Sequence, residues 1–446
     1  MSRNLSGATL ALVAIIGSLS GVGCASNRII DDRPDRNEVP NPTRPPITEE
    51  MARKFGFITY WDSFIENEVI VGLQIEGDFE QGFGKPQLYA ITQSNRVYQI
   101  DLHSGMINWV YDVGRPVAFL DRRPIAEWIY KTDKDTNFKR YDEIYFVAKD
   151  HLVALDKENG SELWTVRLPF GASCPPWTSS THVYVGSWDD RVYAFRKDRH
   201  DIADWSWRTD GDILARGLSE SPQTFAVAAD GKLHAFEAGS GDPRWTFHSE
   251  QRLLLDPLAF QKLLYVPGED YNLYVLNAID GLLEFRHCTG QPITSHPVAV
   301  ANGELDKAIY YTSGTEGVFA LARRGRPRAS EGNPRKTIHE LLWQRKEAKR
   351  FLCRGANDVY LLEAVKAEGE LFETLKITRV DAQKGSLRDT LTLPTVDWVM
   401  TAPFGPANPN RDEGLLGGLL ILGFRNGWVI TLKEIATLPG GVVDQN

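Results

Sequence analysis

An all-β fold, an eight-bladed β-propeller of four-stranded antiparallel blades, is what this 446-residue sequence predicts. Three observations predict it. A phrase of strand, polar turn, strand, Gly turn and Trp recurs along the chain. The steps between its aromatic ends are nearly constant. The strands alternate apolar and polar residues, and no helical periodicity competes. A chain this long exceeds the size at which one ordinary core stops growing, unless the fold is a repeat array or a large closed β structure.

The phrase is first met as "NRVYQIDLHSGMINW", ending at Trp109, and again as "DHLVALDKENGSELW", ending at Trp164. Further copies span Val183 to Trp207, Thr224 to Trp245 and Leu264 to Phe285. A copy starting at Ile309 reaches Trp343 after an insertion, and one starting at Val359 has a longer hairpin and no Trp. The segment Leu419–Glu434 supplies the first two strands of an eighth copy, with seven blades as the alternative count. The steps from Trp164 to Trp207, to Trp245 and to Phe285 are 43, 38 and 40 residues. That period fits four short strands per unit. The Asp-Gly and Asn-Gly steps at Asp230-Gly231 and Asn426-Gly427 suit tight hairpins. One large flat ring per unit buries wide apolar area between sheets, so Trp109, Trp164, Trp207, Trp245 and Trp343 are expected in the core. Gly105, Gly160, Gly241, Gly281 and Gly385 are expected to close the turns. The eighth unit runs out of chain, so an N-terminal strand is expected to close the ring. Phe55–Trp61 and Glu68–Ile75 are the candidates.

These units resemble the repeat of quinoprotein-type (PQQ-like) β-propellers over about residues 55–434, on "YQIDLHSGMINW", "VALDKENGSELW", "HAFEAGSGDPRW" and "YVLNAIDGLLEF". With the N-terminal signal described next, the chain is similar to the BamB-like propellers of the outer-membrane protein assembly machinery. The resemblance implies a non-catalytic scaffold that binds protein partners at the bacterial cell envelope.

Residues 1–23 read as a secretory signal: Arg3, an apolar run, then small residues before Cys24. The resemblance to lipoprotein signals makes Cys24 the lipid attachment site. Cleavage without lipid and an uncleaved anchor are the alternatives. Residues 24–50, with five prolines and many charges, read as an extended tether; 51–434 form the propeller and 435–446 a tail. The expected location is a membrane-anchored, periplasm-facing lipoprotein of the outer membrane. A formal charge of -9 gives no basic surface for nucleic acid, and a monomer is expected.

Catalytic signals are weak. Cys174, Cys288 and Cys353 are widely spaced, leaving one bridge plus one free thiol open. No CxxC, GxSxG, HExxH or P-loop occurs. Asp189-Asp190 and Glu269-Asp270 stand at one repeat position and read as turn residues. No catalytic residue, cofactor or metal is assigned. A PQQ- or metal-dependent oxidoreductase and a glycan- or wall-binding module remain the rival classes.

Binding is expected where the repeat is interrupted. Leu120–Asp142 is charged and carries Trp128, Tyr130 and Tyr141. Arg323–Arg350 holds ten basic and three acidic residues, against the acidic balance of the whole chain. Arg323, Arg324, Arg326, Arg328, Arg335, Lys336, Trp128 and Tyr130 are the candidate partner contacts. A third irregular stretch is the Pro-rich Met400–Gly414.

Overall fold

A computed structural model describes residues 45–76, 87–120, 124–128, 143–299, 308–322, 326–327, 337–338, 340–355, 357–365, 374–393, 399–401 and 419–435. Among them are eight four-stranded antiparallel sheets and one two-stranded hairpin. Each sheet is a blade, and in seven of them the strands run from the inner to the outer edge in chain order. Blade 1 is Ile70–Glu76, Gln87–Thr92, Arg96–Asp101 and Ile107–Asp112, and blade 2 is Ala126–Trp128, Glu143–Ala148, His151–Asp156 and Glu162–Arg167. Blade 3 is Trp177–Thr178, His182–Ser187, Arg191–Arg196 and Trp205–Arg208. Blade 4 is Leu218–Glu220, Gln223–Val227, Lys232–Glu237 and Pro243–His248. Blade 5 is Leu258–Phe260, Leu263–Pro267, Asn272–Asn277 and Leu283–Cys288. Blade 6 is Val298–Ala299, Ala308–Ser313, Gly317–Ala322 and Leu341–Arg345. Blade 7 is Ala348–Arg354, Asp358–Val365, Thr374–Asp381 and Leu387–Leu393.

Blade 8 takes Val399–Thr401, Leu419–Phe424 and Trp428–Glu434 from the chain's end, and its outer strand Phe57–Phe64 from the beginning. The register runs antiparallel from Phe57 opposite Glu434 to Phe64 opposite Trp428. Of the two candidate closing segments, the first therefore shuts the ring. The second, as Ile70–Glu76, is the inner strand of blade 1. What the sequence offered as the first two strands of each unit are its second and third. The inner strands are often only two or three residues long, and the eighth unit lacks only its outer strand.

The core lies between blades rather than within one layer. Tyr89, Ile91 and Trp109 of blade 1 pack with Ile144, Phe146 and Val153 of blade 2. Second strands such as Glu143–Ala148 and Ala308–Ser313 are buried at every residue, because both faces meet a neighbouring blade. Outer strands such as Glu162–Arg167 alternate with solvent.

Order begins earlier than residue 51. Thr48 caps a short helix, Glu49–Lys54, accepting from the Met51 N–H at 3.3 Å. Ile47, Ala52 and Phe55 are buried with Tyr360, Leu391 and Leu420, covering the seam between blades 7 and 8. The apolar side chains at 47, 52 and 55 decide this boundary over the charged residues between them.

Candidate interaction surface

In blades 1, 2 and 7 the hairpin between the third and outer strands is built the same way. In blade 1, the Asp101 carboxylate accepts from the His103 and Ser104 N–H groups at 3.0 and 2.8 Å. In blade 2, Asp156 accepts from Glu158 and Asn159, and in blade 7 Asp381 accepts from Gln383 and Lys384. This is the Asx turn, and it explains the recurring Asp before the Gly. Burial pushes the Asp101 carboxyl up, but the bonds from Ser104 and His103 outweigh it and hold its pKa below the usual range.

The following glycine receives the ring of the preceding blade. Gly160 has φ +70, and a Cβ there would stand 2.4 Å from the Trp109 indole. Gly105 meets Trp61 in the same way, Gly241 meets Trp205, Gly281 meets Trp245 and Gly385 meets Trp343. The indole N–H of Trp61 donates to the Leu102 carbonyl at 2.8 Å, that of Trp109 to Lys157 at 3.0 Å and that of Trp343 to Ala382 at 2.8 Å. The rings thus lock five seams, those between blades 8 and 1, 1 and 2, 3 and 4, 4 and 5, and 6 and 7.

In blade 3 the locking ring is Trp205, not Trp207. Trp205 faces Ala194 in the ladder, as Trp164 faces Ala154 and Trp245 faces Ala235. Trp207 is two residues further on and packs against Phe236 at 5.5 Å. Trp164 keeps the position but meets no glycine; its ring stacks on His200 at 4.3 Å.

The propeller has two distinct faces. Turns between second and third strands share one face with the blade-to-blade connections, to which they are hydrogen-bonded: Lys149 N–H to Pro116, Ala229 to Asp212 and Glu269 to Arg252. Among the described residues these turns are short. We call this the turn face. Connections between first and second strands, and between third and outer strands, emerge on the opposite loop face.

Both sequence interruptions lie in connections of the loop face. Leu120–Asp142 is not wholly an insertion, because Ala126–Trp128 within it is the inner strand of blade 2. The excess is the connection from Trp128 to Glu143, which contains Tyr130. Arg323–Arg350 also divides. Its first part joins the third and outer strands of blade 6, and its last part forms Leu341–Arg345 and the start of Ala348–Arg354. Arg345 lies near Glu347 and Glu363 at 3.3 and 3.4 Å, and Lys346 near Glu316 at 3.6 Å, on the turn-face side. Within the first part, Arg326–Pro327 pairs with Thr337–Ile338 as a hairpin beside the outer strand of blade 5. Arg323, Arg324, Arg328, Arg335, Lys336 and Tyr130 lie outside the described residues. The Pro-rich stretch past Thr401 belongs to the first-to-second connection of blade 8, again a loop-face position, and also lies outside them.

Exposed apolar side chains rim the loop face. Met106, Ile202, Ile279 and Leu282 stand on its turns, the last three 69, 63 and 60 % exposed, and Leu283, Leu341 and Leu387 open three successive outer strands. The turn face exposes Phe170, Trp188 and Tyr271. Sequence reading missed the rim, because single exposed apolar residues scattered over separate hairpins carry no local signal.

Charges lie buried just beneath the loop face. Lys197 is 3 % exposed; its ammonium donates to the Ser179 carbonyl at 2.6 Å and lies 5.4 Å from the centre of the Tyr145 ring. Burial pushes its pKa well down, with Glu143 opposing. Lys157, at the same place in blade 2, is pushed down to about 8 by burial, with Glu76 opposing. The fully buried Asp358 is held by Arg379 at 2.5 Å and Arg388 at 3.0 Å. Arg216, ahead of the inner strand of blade 4, reaches Glu76 of blade 1 at 3.8 Å.

The acidic turn residues are engaged by the fold. Asp189 accepts from the Tyr193 hydroxyl at 2.7 Å, and Asp270 from that of Tyr274. Among the described residues no three His, Cys, Asp or Glu side chains gather at one point. Cys174, Cys288 and Cys353 are free thiols, the first and last buried.

Eight blades, their repeated ring-on-glycine locks and the Asp-turn-Gly phrase define a β-propeller of PQQ-like repeats. The family described as "Outer membrane protein assembly factor BamB" matches residues 140–223 and 207–396, more than half of the chain, and the chain belongs to it. No curated protein sequence matches the chain. Among solved structures, BamB from Moraxella catarrhalis aligns with a TM-score of 0.56 at 16 % identity, over 84 % of this chain and 97 % of that one. The computationally designed Ika8 protein aligns with a TM-score of 0.51 at 13 % identity, over 83 % and 98 %. The quinohemoprotein alcohol dehydrogenase ADHIIG from Pseudomonas putida HK5 aligns with a TM-score of 0.50 at 12 % identity, over 88 % and 77 %. At these identities the likeness is one of fold.

Proposed function

We propose that this chain is a non-catalytic scaffold of the bacterial cell envelope that holds a protein partner on its loop face, in the assembly of outer-membrane proteins. The observation that carries the reading is the asymmetry of the faces. Both sequence interruptions are loop-face connections, and exposed apolar residues rim that same face. A catalytic propeller needs convergent polar groups at one point; a docking platform needs area, apolar anchors and a charged border. Membership of a family described as an assembly factor supports the role. In this reading Cys24 carries the lipid, residues 25–44 span the gap from the membrane, and the propeller works as a monomer.

The test is photo-crosslinking in the envelope from single positions on each face. Ile279 and Leu282 are expected to trap an envelope protein, and Asp230 and Glu269 of the turn face, remote from blades 1 and 2, are not. Equal trapping from both faces, or trapping from the turn face alone, rejects the proposal. The rival PQQ-dependent oxidoreductase predicts a quinone absorbance retained by the purified protein after incubation with PQQ and calcium.

A further inference from the structure

We propose that the crevice between blades 1 and 2 binds an aromatic ring presented by a partner polypeptide, at the place where neighbouring blades insert a ring of their own. The third residue of each third strand points into the crevice shared with the preceding blade. In blades 1, 3, 4, 5 and 6 it is Tyr98, Tyr193, His234, Tyr274 and Phe319. The ladder fixes the equivalence: Tyr193 faces Ser206, Tyr274 faces Arg286 and, in blade 2, Val153 faces Thr165. Tyr274 meets Phe247 of blade 4 edge to face, with centroids 5.0 Å apart, and Phe319 meets His287 of blade 5 at 5.7 Å. In the seam between blades 6 and 7, where Thr378 replaces the ring, Glu363 takes up the space by bonding Thr378 at 3.2 Å and Arg345 at 3.4 Å.

Blade 8 has Ile430 at this place, packed in the seam with blade 7, and blade 2 has Val153, so neither has a ring or a polar substitute. Beside Val153 lies a pocket of about 290 Å³, open to solvent on one side, lined by Tyr111, Val113, Ala148, Val153 and Thr165 and bordered by Gly114, Arg115 and Glu162. Tyr111 occupies the place that Phe247 holds in blade 4, so an incoming ring meets the same edge-to-face geometry. The Tyr111 hydroxyl donates to the Glu162 carboxylate. Burial, with Glu162 second, pushes the Tyr111 pKa up, so the phenol stays a donor. The exposed carboxylate of Glu162 has acceptor sites left for the N–H of an indole or the O–H of a phenol. The chemistry therefore favours Trp or Tyr over Phe. The lining of the pocket runs from Gly114 and Arg115 of the turn-face connection to Glu162 at the start of the outer strand of blade 2. Its polypeptide occupant rests on the scaffold reading; the pocket does not.

Titration of the full chain with indole, N-acetyltryptophanamide and cyclohexanol tests this, following the methyl signals of Val113, Ala148 and Val153 by NMR. Indole and the amide are expected to shift those methyls saturably, with cyclohexanol at least tenfold weaker. Val153→Tyr and Val153→Phe, which restore the ring of the other blades, should weaken indole at least tenfold without lowering the melting temperature. Unmoved methyls in the unmodified chain, or variants that bind as it does, overturn the proposal. Indole binding without amide binding overturns the polypeptide occupant and leaves the loop-face crosslinks as a separate matter. Should neither ring variant fold, Glu162→Gln decides: it should weaken indole at least threefold, and equal indole binding rejects the site.

Discussion

At the scale of the residue, the fold is held by one contact repeated around the ring. At five seams an indole from one blade lies on a glycine of the next. Gly160→Ala places a methyl against the Trp109 ring at a left-handed φ and is expected to cost about 2–4 kcal/mol, comparable to the ~3–5 kcal/mol of Trp109→Ala. Urea denaturation checks both, and a change below 1 kcal/mol (roughly the size of a surface substitution) for Gly160→Ala rejects the lock. The same scale carries a pH effect. Lys157 has its pKa lowered to about 8 from 10.5. Between these values the unfolded chain binds the proton and the folded one does not, so stability rises with pH across the window. Lys157→Met should therefore stabilise the protein by about 3 kcal/mol below pH 8, and the gain should fade by pH 10.5. A gain independent of pH over that range rejects the assignment to Lys157. The docking glycines were legible because only glycine meets both demands, a left-handed turn and a ring at contact. Trp205 was not, because "WSW" offers two rings on the same face of one strand. The spacing did distinguish them: with Trp205 the steps become 41, 40 and 40, more even than with Trp207.

At the scale of the element, the decisive piece is the strand Phe57–Phe64. It completes blade 8, seats Trp61 on Gly105 and bonds Ser63 to the Gly105 carbonyl at 2.5 Å. Removal of residues 45–64 should abolish the cooperative thermal transition, since it uncovers the third strand of blade 8 and unlocks blade 1 together. A truncated chain that melts like the parent rejects this role. The second and third strands were readable from their apolar runs. The inner strands were not: Trp177–Thr178 and Val298–Ala299 are too short for any alternation to register. For that reason Ala126–Trp128 was taken into an interruption, although it is a member of blade 2.

At the scale of the whole molecule, the ring separates structural duty from variation. Connections on the turn face are tied to one another by backbone hydrogen bonds and tolerate little length. Connections on the loop face end on paired strands and can lengthen without disturbing the blade. Replacing the stretch between Trp128 and Glu143 by a short turn should thus leave the melting temperature within about 4 °C, a ~1 kcal/mol change at most, while weakening capture of the envelope partner. Unaltered capture rejects the loop as a contact. The interruptions were visible in the sequence as breaks of period. Their placement on one face was not, because it depends on which pair of strands each connection joins.

Closure by the N-terminal strand also sets an order in time. Phe57–Phe64 leaves the ribosome early, yet its partner Trp428–Glu434 is among the last described segments made. Throughout synthesis or export the first strand must wait, and blade 1 keeps one face bare, until Trp428–Glu434 has arrived. A chain interrupted before residue 428 has no closed state to reach. Arrival of the last blade is thereby checked by the fold itself, and a copy cut short before it presents an unpaired strand to whatever binds or degrades it.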